Sequence, residues 1–321
     1  MLKNTPAMYK KAYPFLKEVD SLALANVQLH LEKAYKNFFR DPKVGFPRFK
    51  SKHHSKNSYT TNVVNGNILV EDNRIRLPKL KWISMKKHRE PAENWRLKSV
   101  TVSMEPSGKY FASLLYEGYS CENQAADKDY SNAKILGIDY AMQGMAVFSE
   151  EIELEKAGFF RKNEKRLARE QRKLSRCVKG SRNYVRQKKK VARCHEKIRS
   201  QRRDYLHKLS RRITDQYDIV AVEDIDMKAM SQCLHFGKSI QDNGYGMFRN
   251  MLDYKLAWKG KELVKADRFF PSSKKCSKCG KIKKELKLSE RVYRCTCGNE
   301  MDRDRNAAIN IREEARRMLA A

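Results

Sequence analysis

Four cysteines in the C-terminal part of the chain have the spacing of ligands to a single metal ion. Cys276 and Cys279 form a CxxC pair, Cys295 and Cys297 form a CxC pair, and a glycine follows each pair. Two thiolate pairs at this separation can enclose one tetrahedral Zn²⁺. Because four sulfur ligands leave no open coordination position, the spacing predicts a structural zinc ion held within residues 275–300.

A second group of residues suited to chemistry is acidic. Asp139 ends the apolar run ILGID, Glu223 ends the apolar run IVAVE, and Asp302 and Asp304 precede a helix that begins NAA. Each acid alone is more often a cap or a turn residue. Carboxylates from two strand ends and a helix start can, however, converge, hold two divalent ions and cleave a phosphodiester. Oxygen ligands suit Mg²⁺ or Mn²⁺.

The charge of the chain indicates a polyanionic partner. Its 321 residues include 69 Lys and Arg against 38 Asp and Glu, which gives a formal net charge of +31. Nucleic acid is the first candidate, and an anionic membrane surface is the alternative. No apolar run approaches the length of a membrane span, and the N-terminus lacks a signal-peptide core. We therefore expect a cytoplasmic protein.

Residues 161–212 concentrate this charge, with twenty-two Lys or Arg against four Asp or Glu. The pattern predicts two long basic helices, separated at Gly180-Ser181, that follow a nucleic-acid backbone. The candidate phosphate contacts are Arg169, Lys173, Arg186, Lys189 and Arg193. No histidine is paired with a serine or cysteine nucleophile, and no Walker A loop is present, so covalent hydrolysis and ATP-driven action have no support.

The surrounding elements predict an α/β protein with several domains. Residues 1–43 show helical periodicity, 44–120 contain short strands suggesting a small antiparallel β-barrel, and 121–133 form a polar linker. In 134–274 strands and helices alternate, which predicts an α/β core carrying the basic hairpin 161–212. The cysteine segment 275–300 follows, and a last helix lies within 301–321.

Several of these stretches together resemble the TnpB family of insertion-sequence proteins, long labelled probable transposases and related to type V CRISPR effectors. The RuvC-like core of that family is similar to GIDYAMQGMAVFS, AVEDIDMKAM, DRFFPSSKKCSKCG and CTCGNEMDRDRNAAINI, which occur here in this order. PFLKEVDSLAL, AYKNFFR and VGFPRFKSK resemble its N-terminal half. The resemblance covers essentially the whole chain.

The resemblance implies an RNase H-like (RuvC) core with an inserted zinc ribbon, and an RNA-guided DNA endonuclease. Its partners would be a guide RNA from the element's end and a double-stranded DNA target with a short flanking motif. Asp139, Glu223 and Asp304 match the three catalytic acids that bind Mg²⁺, and Asp302 is the alternative to Asp304. The four cysteines match the zinc ribbon.

The resemblance also implies that the β-rich segment holds RNA and flanking duplex. Aromatic and basic residues there suit base stacking and phosphate contact. The candidates are Arg48, Lys50, Lys52 and Tyr59. Phe46 and Phe49 fit stacking and the barrel core equally well.

Two other functions share these features. A protein that binds nucleic acid without cleaving it, or a transposase that performs strand transfer, would have the same charge and motifs. Members of the family usually begin with a strand and a helix before the LKEVDS segment, whereas only Met1 to Phe15 precede it here. We therefore expect either an earlier start or a shortened copy.

Overall fold

The computed structural model describes residues 5–49, 51, 56–118, 130, 132–141, 144–153, 158–226, 244–287 and 289–320. The chain divides into two compact units, residues 1–121 and 122–321. The strands are β1 Asn57–Asn62, β2 Leu69–Glu71, β3 Arg74–Leu77, β4 Lys81–Ser84, β5 Arg96–Met104, β6 Tyr110–Glu117, β7 Ile135–Ala141, β8 Met145–Phe148, β9 Ile219–Glu223, β10 Glu262–Ala266, β11 Val292–Arg294 and β12 Glu300–Asp302. The helices are α1 Pro6–Tyr9, α2 Ser21–Arg40, α3 Phe159–Ser175, α4 Arg182–Gln216, α5 Tyr245–Trp258 and α6 Arg303–Ala320, with 3₁₀ turns at Pro14–Lys17 and Pro42–Val44.

The first unit contains two antiparallel sheets of three strands each, ordered β1-β5-β6 and β2-β3-β4. Ile68, Ile75, Leu77 and Val100 form their shared core. The predicted hairpin between β5 and β6 is present, and Gly108 takes the positive φ of 84° that its turn requires. No strand pairing joins the two sheets within the described residues, so a closed barrel stays a prediction.

Helix α2 forms where the apolar periodicity predicts it, but several of the predicted apolar positions stay exposed. Val27, Leu29 and Leu31 are each more than half exposed, whereas Ala23 and Asn26 are buried. The Asn26 side-chain amide donates to the Thr60 carbonyl of β1 at 2.9 Å. A small residue and a satisfied amide thus allow the helix to approach the strand closely, which an apolar pattern does not reveal.

The second unit is built around one sheet of order β10-β9-β7-β8. Strands β10, β9 and β7 run parallel, and β8 pairs antiparallel with β7. Alternate side chains of β7 and β9 enter separate cores: Leu136 and Val220 pack with α4 and α5, while Ile135 and Ile219 pack with α6. Helices therefore cover both faces, and the predicted α/β class is confirmed.

The basic segment forms the two predicted helices, α3 and α4. Gly180 has a φ of 85° between them, and the Ser181 hydroxyl caps α4 by accepting from the Tyr184 N–H at 3.1 Å. Leu167 and Ile198 are buried along the thin apolar seam, but Val185 is half exposed. Over the parts of the chain that the structure describes, no helix is long and apolar enough to cross a membrane.

Candidate functional site

Asp139 and Glu223 lie side by side on adjacent parallel strands, Glu223 as the last residue of β9 and Asp139 two residues before the end of β7. The register pairs Gly137 with Ala221 and Ile138 with Val222, so the next positions on the two strands are Asp139 and Glu223. Both belong to the set of alternate residues that faces α6. Asp139 is 9% exposed, which leaves its carboxylate largely removed from water.

The first turn of α6 brings Asp304 to the same place because this helix packs very closely on β7. Gly137 permits the approach: a Cβ there would overlap the Ala308 carbonyl oxygen and lie 2.8 Å from the Arg312 nitrogen. Gly137 is two residues from Asp139, and Ala308 is four residues from Asp304. Side chains at these spacings share a face of the strand and of the helix, respectively. The contact between backbones therefore places the two carboxylates together.

The electrostatics of the three acids agree with this arrangement. Burial raises the pKa of Asp139 well above its usual range, and the nearby carboxylates of Glu223 and Asp304 raise it further, while Arg303 opposes the shift. Burial also raises the pKa of Glu223, against a hydrogen bond from Ser272 that lowers it. Placing like charges together in a buried site costs free energy unless a counter-charge is present.

Asp302 and Asp304 have different structural roles. The Asp302 carboxylate accepts the N–H groups of Asp304 and Arg305, both at 2.9 Å, and thus caps the start of α6. The Asp304 carboxylate lies 3.5 Å from Arg303 Nε and 3.8 Å from Arg291 Nη1. Asp302 is therefore occupied as a cap, whereas the Asp304 carboxylate is close enough to Asp139 to raise its pKa.

The donor set of this cluster fits hard divalent cations. Three carboxylates supply oxygen ligands only, as Mg²⁺ and Mn²⁺ prefer, and a cation would relieve the repulsion among them. Unlike the cysteine thiols, the three carboxylates do not offer one oxygen each that all lie within 4.8 Å of one another.

The four cysteines come together as their spacing predicts. The thiols of Cys276, Cys279, Cys295 and Cys297 all lie within 4.8 Å of one another, and they are the only such group of three or more candidate ligands among the described residues. Burial tends to raise the pKa of the Cys276 thiol, but backbone N–H groups of Cys279 and Lys278 and the Asn299 amide lower it to about 6. Four cysteine sulfurs this close together fit zinc, whereas hydrogen bonds with the neighbouring thiols raise the pKa of Cys279 to about 11 in the absence of a metal.

The residues predicted to contact phosphate on the basic helices are all available to solvent. Arg169, Lys173, Arg186, Lys189 and Arg193 are exposed on α3 and α4. A cavity of about 300 Å³ between the two helices is lined by Lys173 and Arg193 together with Arg166, Lys190 and Lys197. Glu170 and the Asn163 and Cys194 side chains complete its wall.

The candidates in the first unit are only partly described. Lys50 and Lys52 lie outside the described residues. Arg48 is exposed and Tyr59 is half-buried, with its pKa raised by burial and then by Asp20. Phe46 and Phe49 are exposed, so they are not core residues; Phe46 contacts Tyr35 edge-on at 5.7 Å between ring centroids.

Sequence reasoning did not find several residues next to the acids. The Ser272 hydroxyl donates to Glu223 Oε1. Tyr245 is 1% exposed, its ring lies 4.8 Å from that of Tyr140, and its hydroxyl has no hydrogen-bond partner among the described residues. Burial raises the pKa of Tyr245, and Asp139 and Glu223 raise it further. A signal for Ser272 was present, because a Ser-Ser pair sits between β10 and the first cysteine.

Two family models match separate parts of the chain. Residues 118–234 match a family described as probable transposase, and residues 245–311 match a Cas12f1-like TNB domain. The described part of the first match contains β7 to β9, and the second spans the cysteine cluster and the start of α6. Together they cover all three candidate acids and all four candidate zinc ligands.

Similar proteins cover the chain more completely. A relative from Streptomyces pristinaespiralis, named RNA-guided DNA endonuclease, is 36% identical over 92% of this chain and 72% of its own length. Escherichia coli K12 InsQ, which carries the same description, is 33% identical over 95% of this chain and 77% of its own length.

A solved structure supports the same relationship at the level of fold. The Cas12f1 chain in a cryo-EM structure with sgRNA and target DNA aligns with a TM-score of 0.55 at 17% identity, over 91% of this chain and 71% of that one. At that identity the likeness concerns the fold alone. The two relatives are 36% and 33% identical to this chain over 72% and 77% of their own lengths. The chain therefore belongs to the TnpB family.

Proposed function

We propose that this chain is an RNA-guided DNA endonuclease of a transposable element. It hydrolyses phosphodiester bonds with Mg²⁺ or Mn²⁺ held by Asp139, Glu223 and Asp304. One observation carries the proposal: three carboxylates converge at one edge of the central sheet in a chain of net charge +31. Neither helix capping nor folding requires such a cluster. The repulsion among its carboxylates is unfavourable until cations bind.

In this proposal each residue of the site has a separate task. Bound divalent ions would activate the attacking water and stabilise charge on the phosphate. Strand register places Asp139 and Glu223 next to each other on adjacent strands. Asp304 is carried by the N-terminus of α6, where a negative side chain is also favoured by the helix dipole. Arg303 lies beside Asp304 and partly offsets the negative charge.

We further propose that the second unit is a RuvC-like core of the RNase H class. The sheet order β10-β9-β7-β8, with acids at the ends of β7 and β9, supports this assignment. The cysteine segment 275–300 would be a zinc ribbon inserted between β10 and α6. The domain limits given by the sequence, including the barrel-like domain 44–120 and the linker 121–133, belong to the same proposal.

The partners follow from the family and the charge. A guide RNA from the element's end would pair with double-stranded DNA beside a short flanking motif, so that base pairing reads the sequence and the protein binds backbone and shape. The exposed arginines and lysines of α3 and α4 would lie along the RNA–DNA duplex. The two relatives named as RNA-guided DNA endonucleases support this partner set. Such a protein would act at the nucleoid.

The test begins with the RNA that co-purifies when the native locus is co-expressed. One discrete RNA from the element's end, together with cleavage of a matching DNA, is the expected result. Asp304→Asn should abolish cleavage, whereas Asp302→Asn should retain it because an asparagine oxygen can still cap α6. Binding without cleavage in the parent chain would indicate the non-cleaving alternative, and joined element ends would indicate strand transfer.

A further inference from the structure

Among the residues that the structure describes, Glu223 has one side-chain hydrogen-bond partner, which comes from the segment leading to the cysteines. Ser272 is 6% exposed, and its hydroxyl donates to Glu223 Oε1. A carboxylate with two oxygens can rotate about its terminal torsion, which has a broad energy minimum. A buried hydroxyl bonded to one oxygen therefore selects the orientation of the other.

The backbone returns Ser272 to Glu223 by a short, hydrogen-bonded route. Strands β10 and β9 end together, with Ala266 opposite Glu223, and the Asp224 N–H donates to the Ala266 carbonyl. Between Ala266 and Ser272, the Phe270 N–H donates to Asp267 and the Ser272 N–H donates to Phe270. These bonds hold Ser272 beside the end of β9, where Glu223 lies.

Two asparagines of α6 hold the other side of the same segment. The Asn310 side-chain amide donates to the carbonyls of Ser272 and Lys275, both at 2.7 Å. The Asn306 amide donates to Lys275 at 2.7 Å, and its oxygen accepts the Ser277 N–H at 3.0 Å. Asn306 and Asn310 are 0% and 2% exposed. Buried amides that are satisfied in this way are costly to disrupt.

These contacts form a continuous path from the sulfur cluster to the acid. The bonds of Asn306 bracket Cys276, since Lys275 precedes it and Ser277 follows it. Asn310 then links Lys275 to Ser272, and Ser272 bonds Glu223. The path runs along the face of α6 where residues four apart are neighbours.

We propose that Ser272 is a positioning residue for Glu223, and that Asn310 ties Ser272 to the four-cysteine module so that the module sets the geometry of the acid. The inference rests on the proposed function, because it concerns the binding of a divalent ion by Glu223. It goes beyond that function by giving the module a role in the metal affinity of the acid site. Residues that orient metal ligands typically change metal affinity or activity about 10- to 100-fold when removed.

The test measures metal binding without cleavage. The zinc-loaded chain with its guide RNA, but without target DNA, is titrated with Mn²⁺ while the melting temperature is followed. Ser272→Ala should raise the Mn²⁺ concentration for half-maximal stabilisation about 10- to 100-fold. Ser273→Ala is the matched control, because Ser273 makes no side-chain hydrogen bond among the described residues. Ser272→Thr, which keeps the hydroxyl, should restore most of the affinity.

A double-mutant cycle tests the link to the module. Asn310→Ala and Ser272→Ala act on one path, so the double variant should be scarcely weaker in Mn²⁺ binding than Ser272→Ala alone. Asn306→Ala should have a smaller effect, since it leaves the Asn310 bond to Ser272 in place. Zinc content, measured for every variant, should stay at one ion per chain.

The outcomes separate this inference from the proposed function. A parent chain that does not respond to Mn²⁺ would overturn the acid site and the inference together. A parent that responds, with Ser272→Ala and Ser273→Ala behaving alike, would overturn the inference alone. Additive effects of Asn310→Ala and Ser272→Ala, or loss of zinc from Ser272→Ala, would overturn the positioning path.

Discussion

The four-cysteine cluster and the three-acid cluster are both groups of candidate metal ligands, but they are assembled in different ways. The cysteines come from one short stretch, and local turns bring their sulfurs within 4.8 Å. The acids come from β7, β9 and α6, and only sheet register and helix packing bring them together. The cysteine site can therefore be lost without unfolding of the second unit, whereas the acid site depends on the whole of that unit.

The strongest effect is expected from loss of one zinc ligand, which should empty the cysteine cluster without unfolding the central sheet. Cys295→Ser should release zinc, because it removes one of four sulfur ligands from a site whose binding of Zn²⁺ contributes about 10–16 kcal/mol. Metal analysis should find no zinc, and hydrogen exchange should rise within 275–302 while β7 and β9 stay protected. Cys194→Ser, at a half-buried cysteine outside the cluster, should retain the metal. Exposure of β7 in Cys295→Ser would mean that the module is not local.

The next largest effect is expected from a substitution that removes charge from the acid site but keeps the size of the side chain. Asp139→Asn should lower the cleavage rate about 1000-fold or more, since metal ions supply several kcal/mol to such a reaction. The free energy of unfolding without divalent ions should rise, because a buried, repelled carboxylate is lost. Urea denaturation and single-turnover cleavage measure the two effects. A variant that still cuts would show that the acid cluster is assigned wrongly.

A third change tests the close packing of α6 on β7. Gly137→Ala should cost about 3 kcal/mol of unfolding free energy, since the added methyl group meets backbone atoms of α6 that cannot rotate away. Gly246→Ala is the matched control, because nothing lies within 4 Å of a Cβ there and alanine favours a helix. Equal stabilities by urea denaturation would contradict the close packing of β7 and α6.

The stability of the second unit should depend on pH through Asp139. The folded chain raises the pKa of Asp139, so folding favours its protonated form. Without divalent ions, stability should be unaffected by this group below its ordinary pKa of about 3.9 and should fall as the pH rises through the folded value. Mn²⁺ should therefore raise the melting temperature more at high pH than at low pH. Asp139→Asn should largely remove that difference.

The smallest effect concerns the exposed basic helices, where no single residue decides binding. Lys189→Gln and Arg193→Gln should each weaken binding of guide RNA and DNA similarly for all sequences. Each should also reduce the slope of log affinity against log salt by about one. Titrations at several salt concentrations measure this slope. An unchanged slope would place these side chains away from phosphate.

The sequence predicted those parts of the molecule that depend on neighbours along the chain. The cysteine cluster, the break at Gly180 and the turn at Gly108 need only local geometry, and all are present. Apolar periodicity also gave the strands and helices around the central sheet. Helix α2 is the exception, because its packing depends on the Asn26 bond to β1, which periodicity does not encode.

The remaining features depend on contacts between distant residues. Which of Asp302 and Asp304 reaches Asp139 is decided by capping and by the approach of α6 to Gly137. Ser272, Asn306 and Asn310 are ordinary polar residues until the fold puts carbonyls and a carboxylate within their reach. A sequence motif shows that such residues are near a site, but not what they bond.

The acid site takes its residues from three elements that are far apart in the sequence, and this has a consequence during synthesis. Asp139 and Glu223 leave the ribosome well before α6, which carries Asp304 and closes one face of the sheet. At usual elongation rates the interval is on the order of ten seconds. During that time the basic helices have been synthesised, and under the proposed function the third acid is still missing. A nascent chain would therefore be able to bind RNA before it could cleave DNA.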